Sequence, residues 1–393
     1  EYTIEYLKNP KTSQTYSISM YKDYGTNGIE CGALVYDWCY DVLTDTQKET
    51  LAEEIMAIYN IKEDTNGNGT IEIVQPCRPD NVSSWSELAG YAVGQPLIYN
   101  TIAATALYDY NADTFYNVIM PKIQGNMAKV VKMYGSAGAL SDGSMSYTRE
   151  YYTYYIYVLF QRLGATEEQM DELYGDQTPL GYKMLYARLP YGAFIKQGDD
   201  FYQANYKMNT YTNGAENTNM GLLASIYGDE YLHYQYAKVN HGVKKYLQFL
   251  TLDNDVGYKL PDPLPLAFET KEPRSEILAR TSWQDGIASP TVSAYLSMNE
   301  RRSGDHDHGH VGEFQLYYKG PLSMPGGVYE GTDWGKYHWA GYYTKTSSAN
   351  CMLIVDPSEE FTYYSRVLSN DGSQRYAKYP NNAIFGTLAE HQS

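Results

Sequence analysis

Apolar residues recur at helical spacing over 32–43, and again from Asp45 to about residue 60. Thr44 and Gln47 carry the spacing of a capping box, which predicts the start of that second helix. Further helical patterns cover 85–109, 114–134, 147–163, 180–193 and, with breaks, 217–250. Asp142-Gly143 predicts a turn before the 147–163 segment. Helices joined by short loops predict helical hairpins stacked into a ring or solenoid. The run Leu260-Pro261-Asp262-Pro263-Leu264-Pro265 ends this order. Beyond it, short runs at 277–283, 291–298, 313–319 and 350–355 read as strands of an antiparallel sheet. The expected class is α+β, with a helical domain over 1–260 and an antiparallel β-sheet domain over 270–393.

One polar stretch interrupts the strand pattern. Three of the seven histidines lie in Asp305-His306-Asp307-His308-Gly309-His310, directly before the aromatic run Phe314-Gln315-Leu316-Tyr317-Tyr318. In an extended segment His306, His308 and His310 would project to one side. Three imidazoles so placed can bind a metal or move protons. A solvated histidine-rich loop is the plainer alternative.

Composition narrows the partners. Thirty basic against 47 acidic side chains give 30 − 47 = −17, which argues against a nucleic-acid binder. A polyanionic ligand would need a local basic patch, for which Arg301 and Arg302 are the candidates. No run of 18 apolar residues is present, so no membrane-spanning helix is expected. The first residues do not read as a signal peptide. Four cysteines without a C-x-x-C pair make a thiolate zinc site improbable. Tyrosine stands out, at 44 copies against 9 phenylalanines. Such rings pack cores, and they also stack on sugars in a wet groove.

Asp64, Asn66 and Asn68 occupy positions 1, 3 and 5 of a calcium-loop pattern, with Gly69 at 6 and Glu72 at 9. Position 12 is Gln75 rather than a bidentate Glu, and a polar Asn-Gly turn explains the stretch equally well.

Several pieces in order resemble the heparinase II/III-like polysaccharide lyases, which include heparinases and exo-acting alginate lyases. Residues 33–38, Ala-Leu-Val-Tyr-Asp-Trp, resemble an early toroid helix of that family. Arg280-Thr-Ser-Trp283 resembles the start of its β-sandwich. The segment from His306 through Gly327 is similar to its His-x-His segment leading into a Phe-Gln-Ile-Tyr-Tyr strand. The resemblance implies an incomplete (α/α) toroid followed by an antiparallel β-sandwich, in a chain shorter than full-length members at its C-terminal end. It also implies a secreted or periplasmic protein acting on an acidic polysaccharide.

The implied chemistry is β-elimination at a uronate: a base takes the C5 proton, an acid protonates the leaving 4-oxygen, and a clamp offsets the carboxylate charge. The resemblance puts the catalytic tyrosine at Tyr151, with Tyr147 as the other candidate and Tyr154 as a further cleft residue. On one helix these three would share a face, with Arg149 on another. The alternative is that they pack between helices. His306 matches the family's catalytic histidine, and Asn81 matches its carboxylate-binding amide, or else is a helix cap. Trp85, His310 and His338 are expected substrate contacts. His308 matches a zinc-binding histidine, but the companion ligands correspond to Pro325 and Ala349. No cofactor is therefore required by the reading, with zinc or calcium as possible additions. Rival readings are an alginate or polyuronate lyase, a toroid glycoside hydrolase with two carboxylates, and a degenerate glycan-binding protein.

Overall fold

The computed structural model describes residues 26–59, 62–63, 72–73, 95–141, 143–147, 150–200, 215–238, 251–253, 255–298, 306–327, 338–358, 361–363, 366–368 and 372–374. The chain divides into two compact units, residues 1–82 with 87–129, and residues 83–86 with 130–393.

In the first unit, α1 (Thr26–Trp38) packs against both α2 (Asp45–Tyr59) and α3 (Gln95–Ala106). Its core holds Ala33, Tyr36, Leu51, Ile55, Leu97 and Ala103. The expected capping box at α2 forms: Thr44 N–H donates to Gln47 Oε1 at 2.9 Å, and Gln47 N–H donates to Thr44 Oγ1 at 3.3 Å. Two of the four orphan amides of that helix end are thereby satisfied. Between Ala112 and Met127 the chain alternates short α and π turns. Pro121 lies at the junction of two such turns and has no N–H for a regular ladder, which fits the break in α geometry there. A short ladder pairs β1 (Lys62–Glu63) with β2 (Glu72–Ile73).

Among the described residues, five further α-helices of eight residues or more lie in the second unit. The tyrosine-rich α4 (Tyr151–Arg162) buries Thr153, Tyr154, Tyr155, Ile156, Val158 and Phe160. Its start is later than the sequence pattern predicts, because Met145–Tyr147 forms a separate 3₁₀ turn. Tyr147, Tyr151 and Tyr154 therefore do not share one helix face. A second capping box, Thr166 with Gln169, opens α5 (Glu167–Tyr174), and Gly175 at φ 59° closes it. Buried Met170 and Tyr174 lie one turn apart on α5, and Tyr174 donates to the Thr153 carbonyl at 2.7 Å, tying α5 to α4. The remaining helices are α6 (Thr178–Ala187), α7 (Ala215–Tyr227) and α8 (Glu230–Ala237). The amides of Tyr231 and Leu232 donate to Asp229 Oδ1, both at 2.9 Å, which caps α8. α7 packs on α4, α6 and α8 and against the 145–147 turn.

The sheet is an antiparallel meander of β3 (Ala267–Glu269), β4 (Glu276–Arg280), β5 (Val292–Ser297), β6 (Phe314–Tyr318) and β7 (Pro321–Ser323). Alternation places Glu276, Leu278, Arg280, Ser293, Tyr295, Ser297, Gln315 and Tyr317 on one buried face. Helix α6 packs against β3 and β4, with Tyr186 stacked on Phe268 and edge-on to Trp283. The α+β class is observed. The described strands make one five-stranded layer and two separate two-stranded ladders, the second being β8 (Phe361–Tyr363) with β9 (Arg366–Leu368). The second layer of a sandwich is not among them. The strand expected at 350–355 is not part of a ladder. Met352, Leu353, Ile354 and Val355 are exposed there, and the Ile354 amide bonds to the Gly372 carbonyl at 3.1 Å. An apolar run in sequence does not reveal whether anything covers it.

Candidate active site

The histidine run is an irregular loop rather than an extended strand: His306 and His308 both turn to Asp199, while His310 turns to Ser348 and the Lys345 carbonyl. Two glycines let distant segments meet under it. Gly198 has φ 61°, and a Cβ there would lie 2.3 Å from the His306 carbonyl oxygen and 2.4 Å from the Gly143 carbonyl oxygen. Gly143 has φ 72°, and a Cβ there would lie 2.6 Å from Asp307 Cβ. Only glycine combines this backbone conformation with such close approach. The Asp199 amide then donates to the His306 carbonyl at 2.9 Å, which brings the Asp199 side chain beneath the histidines.

Asp199 is fully buried and accepts three N–H donors. His306 Nδ1 lies 3.1 Å from Oδ2, and His308 Nε2 lies 2.8 Å from Oδ1. Trp339 Nε1 also donates to Oδ1, at 2.8 Å. Burial pushes the Asp199 carboxyl up, but hydrogen bonds and charge interactions with His306 and His308 outweigh it, leaving it below the ordinary range. Burial pulls His308 down to about 4 against the opposing pull of Asp199, so its ring is neutral at pH 7. His306 remains partly exposed, and its ring lies flat on Tyr147, with centroids 3.6 Å apart and planes 7° from parallel.

A second set of charges holds the loop from behind. Arg274 Nη1 donates to Asp307 Oδ2 at 2.5 Å, and Asp307 Oδ1 accepts from the His308 amide at 3.0 Å. Arg274 Nη2 also lies 3.5 Å from Glu276 Oε1. Lys183, Gln197 and Tyr295 contact the same Glu276 carboxylate. All four charged members, Lys183, Arg274, Glu276 and Asp307, are buried.

The remaining expected site residues are placed as follows. Tyr151 is half-buried against Tyr152 and Tyr155. Tyr154 is turned into the core, where its hydroxyl donates to Gln177 Oε1 at 3.0 Å, and burial raises it well above the usual phenol range. It is a packing residue, because its position on α4 faces inward. His310 is likewise buried. Its Nε2 lies 3.0 Å from Ser348 Oγ and 3.2 Å from the Lys345 carbonyl, and its Nδ1 lies 3.5 Å from Glu313 Oε2. His338 is exposed beside Tyr342 and Tyr343. Asn81, Trp85, Arg149, Arg301 and Arg302 lie outside the described residues, as do Asp64, Asn66 and Asn68 of the calcium pattern. Glu72 has its backbone in the ladder opposite Glu63.

Sequence reasoning missed Asp199, Trp339 and Arg274. The one available signal was Gly198-Asp199-Asp200, a turn pattern that carries no chemistry by itself.

The residues present do not fit zinc at His308. Its Nε2 is committed to Asp199, and Pro325 and Ala349 offer no ligating side chain. The carbonyls of Pro325 and Gly327 already receive the buried Lys196 ammonium, at 3.2 and 3.0 Å. Among the described residues no group of three or more His, Cys, Asp or Glu side chains is arranged to hold a metal ion.

No family model and no curated protein matches the chain. A solved structure of a heparinase III with methylated lysines is similar over 84% of this chain, at 14% identity and a TM-score of 0.48. This chain covers 44% of that one. Among the described residues no helix is long and apolar enough to cross a membrane.

Proposed function

We propose that the protein is a polysaccharide lyase that cleaves a uronic-acid-containing glycan by β-elimination, on an incomplete (α/α) toroid joined to an antiparallel sheet domain. The observation that carries this reading is the Tyr147–His306 pair, two proton-transfer groups in face contact, with the imidazole held at Nδ1 by Asp199. In this reading Nε2 of His306 takes the C5 proton as the C4–O bond breaks and the C4=C5 double bond forms. The Tyr147 hydroxyl gives its proton to the leaving oxygen. A phenol carries its proton at neutral pH unless a cation displaces it, which suits it to donation. Tyr147 takes the role first expected of Tyr151 because it is the tyrosine on the His306 ring. Arg301 and Arg302, a few positions before His306 in the chain, are proposed to offset the uronate charge. A secreted or periplasmic location accords with a polymeric glycan substrate.

The test is incubation with heparan sulfate, chondroitin, hyaluronan and alginate. At least one is expected to yield oligosaccharides with an ultraviolet-absorbing unsaturated end. A folded protein that produces saturated reducing ends instead would be a hydrolase, and one that binds a glycan without turnover across a pH series would be a binding protein.

A further inference from the structure

Asp199 differs from the neighbouring buried acids Glu276 and Asp307 in what surrounds it. Glu276 and Asp307 face cationic side chains. Asp199 instead receives two imidazole N–H groups and an indole N–H. An isolated carboxylate is expensive to bury unless hydrogen bonds replace its hydration, and three donors do so here. An ionised carboxylate only accepts, so each nitrogen facing it must carry its proton. That requirement sets both tautomers. His306 carries hydrogen on Nδ1 and has its lone pair on Nε2, the nitrogen turned away from Asp199. His308 carries hydrogen on Nε2 and is used up as a donor.

The arrangement also has a fixed mechanical basis. The Asp199 amide bonds to the His306 carbonyl, so backbone and side chain grip the same residue at two points. His308 packs edge-on to Tyr343, whose hydroxyl donates to the Gly198 carbonyl at 3.2 Å. The carboxylate is thus held between two braces, while one face of the His306 ring is stacked on Tyr147.

We propose that Asp199 is the positioning residue of the site, orienting His306 as a base with Nε2 unprotonated and holding His308 as a hydrogen-bond brace instead of a metal ligand. This deepens the lyase reading and rests on it only for the identity of the reaction. As His306 takes a proton, the fixed negative charge of Asp199 stabilises the imidazolium that forms. The orienting carboxylate also keeps the ring from presenting its protonated nitrogen to the substrate.

The experiment uses the full chain with ¹⁵N-labelled histidine, at about pH 9, where an ordinary imidazole is neutral. Two-bond ¹H–¹⁵N spectra, assigned with His306→Gln and His308→Gln, should show protonated Nδ1 on His306 and protonated Nε2 on His308. A wild-type His306 protonated on Nε2 overturns the proposal without any need for a variant to fold. In Asp199→Asn, the amide should move the His306 proton to Nε2. On a glycan the wild type cleaves, kcat should then fall by roughly 10³-fold or more, with KM little changed. An unchanged tautomer overturns the proposal whether or not kcat falls, and an unchanged kcat overturns it as well. If the wild type cleaves no uronate glycan, the lyase reading fails while the spectra still decide whether Asp199 orients His306.

Discussion

Asp199 and Asp307 are both buried beside the same histidine loop, yet they do different work. Asp307 faces the Arg274 guanidinium, so the pair is neutral together and fixes the backbone through the His308 amide. Asp199 faces two imidazole N–H groups and an indole N–H rather than a guanidinium, so no permanent cation cancels its charge next to His306. One carboxylate clamps the loop and the other acts on the chemistry of a ring. The difference lies in the partner and not in the burial, which is nearly the same for both.

Variants on the two sides should therefore separate activity from stability. His306→Ala and Tyr147→Phe should each lower turnover by about 10²–10⁴-fold while circular dichroism and the melting curve stay close to wild type. Tyr151→Phe should keep most of the activity, and a collapse of turnover in Tyr151→Phe alone would restore Tyr151 as the catalytic tyrosine. On the clamp side, Asp307→Ala leaves a buried guanidinium short of its partner. Urea unfolding should show a loss of roughly 3–5 kcal/mol, and a loss below about 1 kcal/mol would show that the pair is not the clamp described.

Acid should strike the Asp199 side specifically. His308 titrates near about 4 when folded and near 6.5 when unfolded, so between those values the unfolded chain binds the extra proton. Stability is therefore complete above about pH 6.5 and declines as pH falls to about 4, by up to about 3 kcal/mol. Asp199 adds in the same direction. Its folded carboxyl lies below the ordinary value, so its contribution is present above the unfolded pKa and is lost as pH falls through the folded one. Denaturation midpoints at pH 7 and pH 4 measure the sum, and His308→Gln should flatten the upper part of the slope. The smallest effect is expected at Tyr154→Phe, which removes a buried hydroxyl bonded to Gln177. A cost of about 1 kcal/mol with unchanged turnover would match its packing role, and lost turnover at full stability would return it to the cleft.

Much of the local structure was legible in the chain. The Thr44–Gln47 box forms as its spacing predicts, because a cap is a contact between residues three positions apart. The strands Val292–Ser297 and Phe314–Tyr318 fall within their predicted runs and Glu276–Arg280 overlaps its own, since alternation records a sheet with one buried face. The histidine run drew attention by itself, and His306 does sit in a polar, partly exposed setting.

What each histidine does was decided only by tertiary structure. Asp199 is 107 residues from His306, and Trp339 is 140 residues from Asp199. No periodicity links positions so far apart. They meet because Gly198 and Gly143 allow three backbones to touch where any side chain would collide. The same packing has Tyr147, not Tyr151, on the His306 ring, while Tyr154 is buried against Gln177 and His310 against Ser348. The sequence determined the helices, their caps and the strand faces, all of which depend on neighbours within a few residues. The fold decided which nitrogen of His306 faces a carboxylate, because only packing of distant segments can place a buried charge beside it.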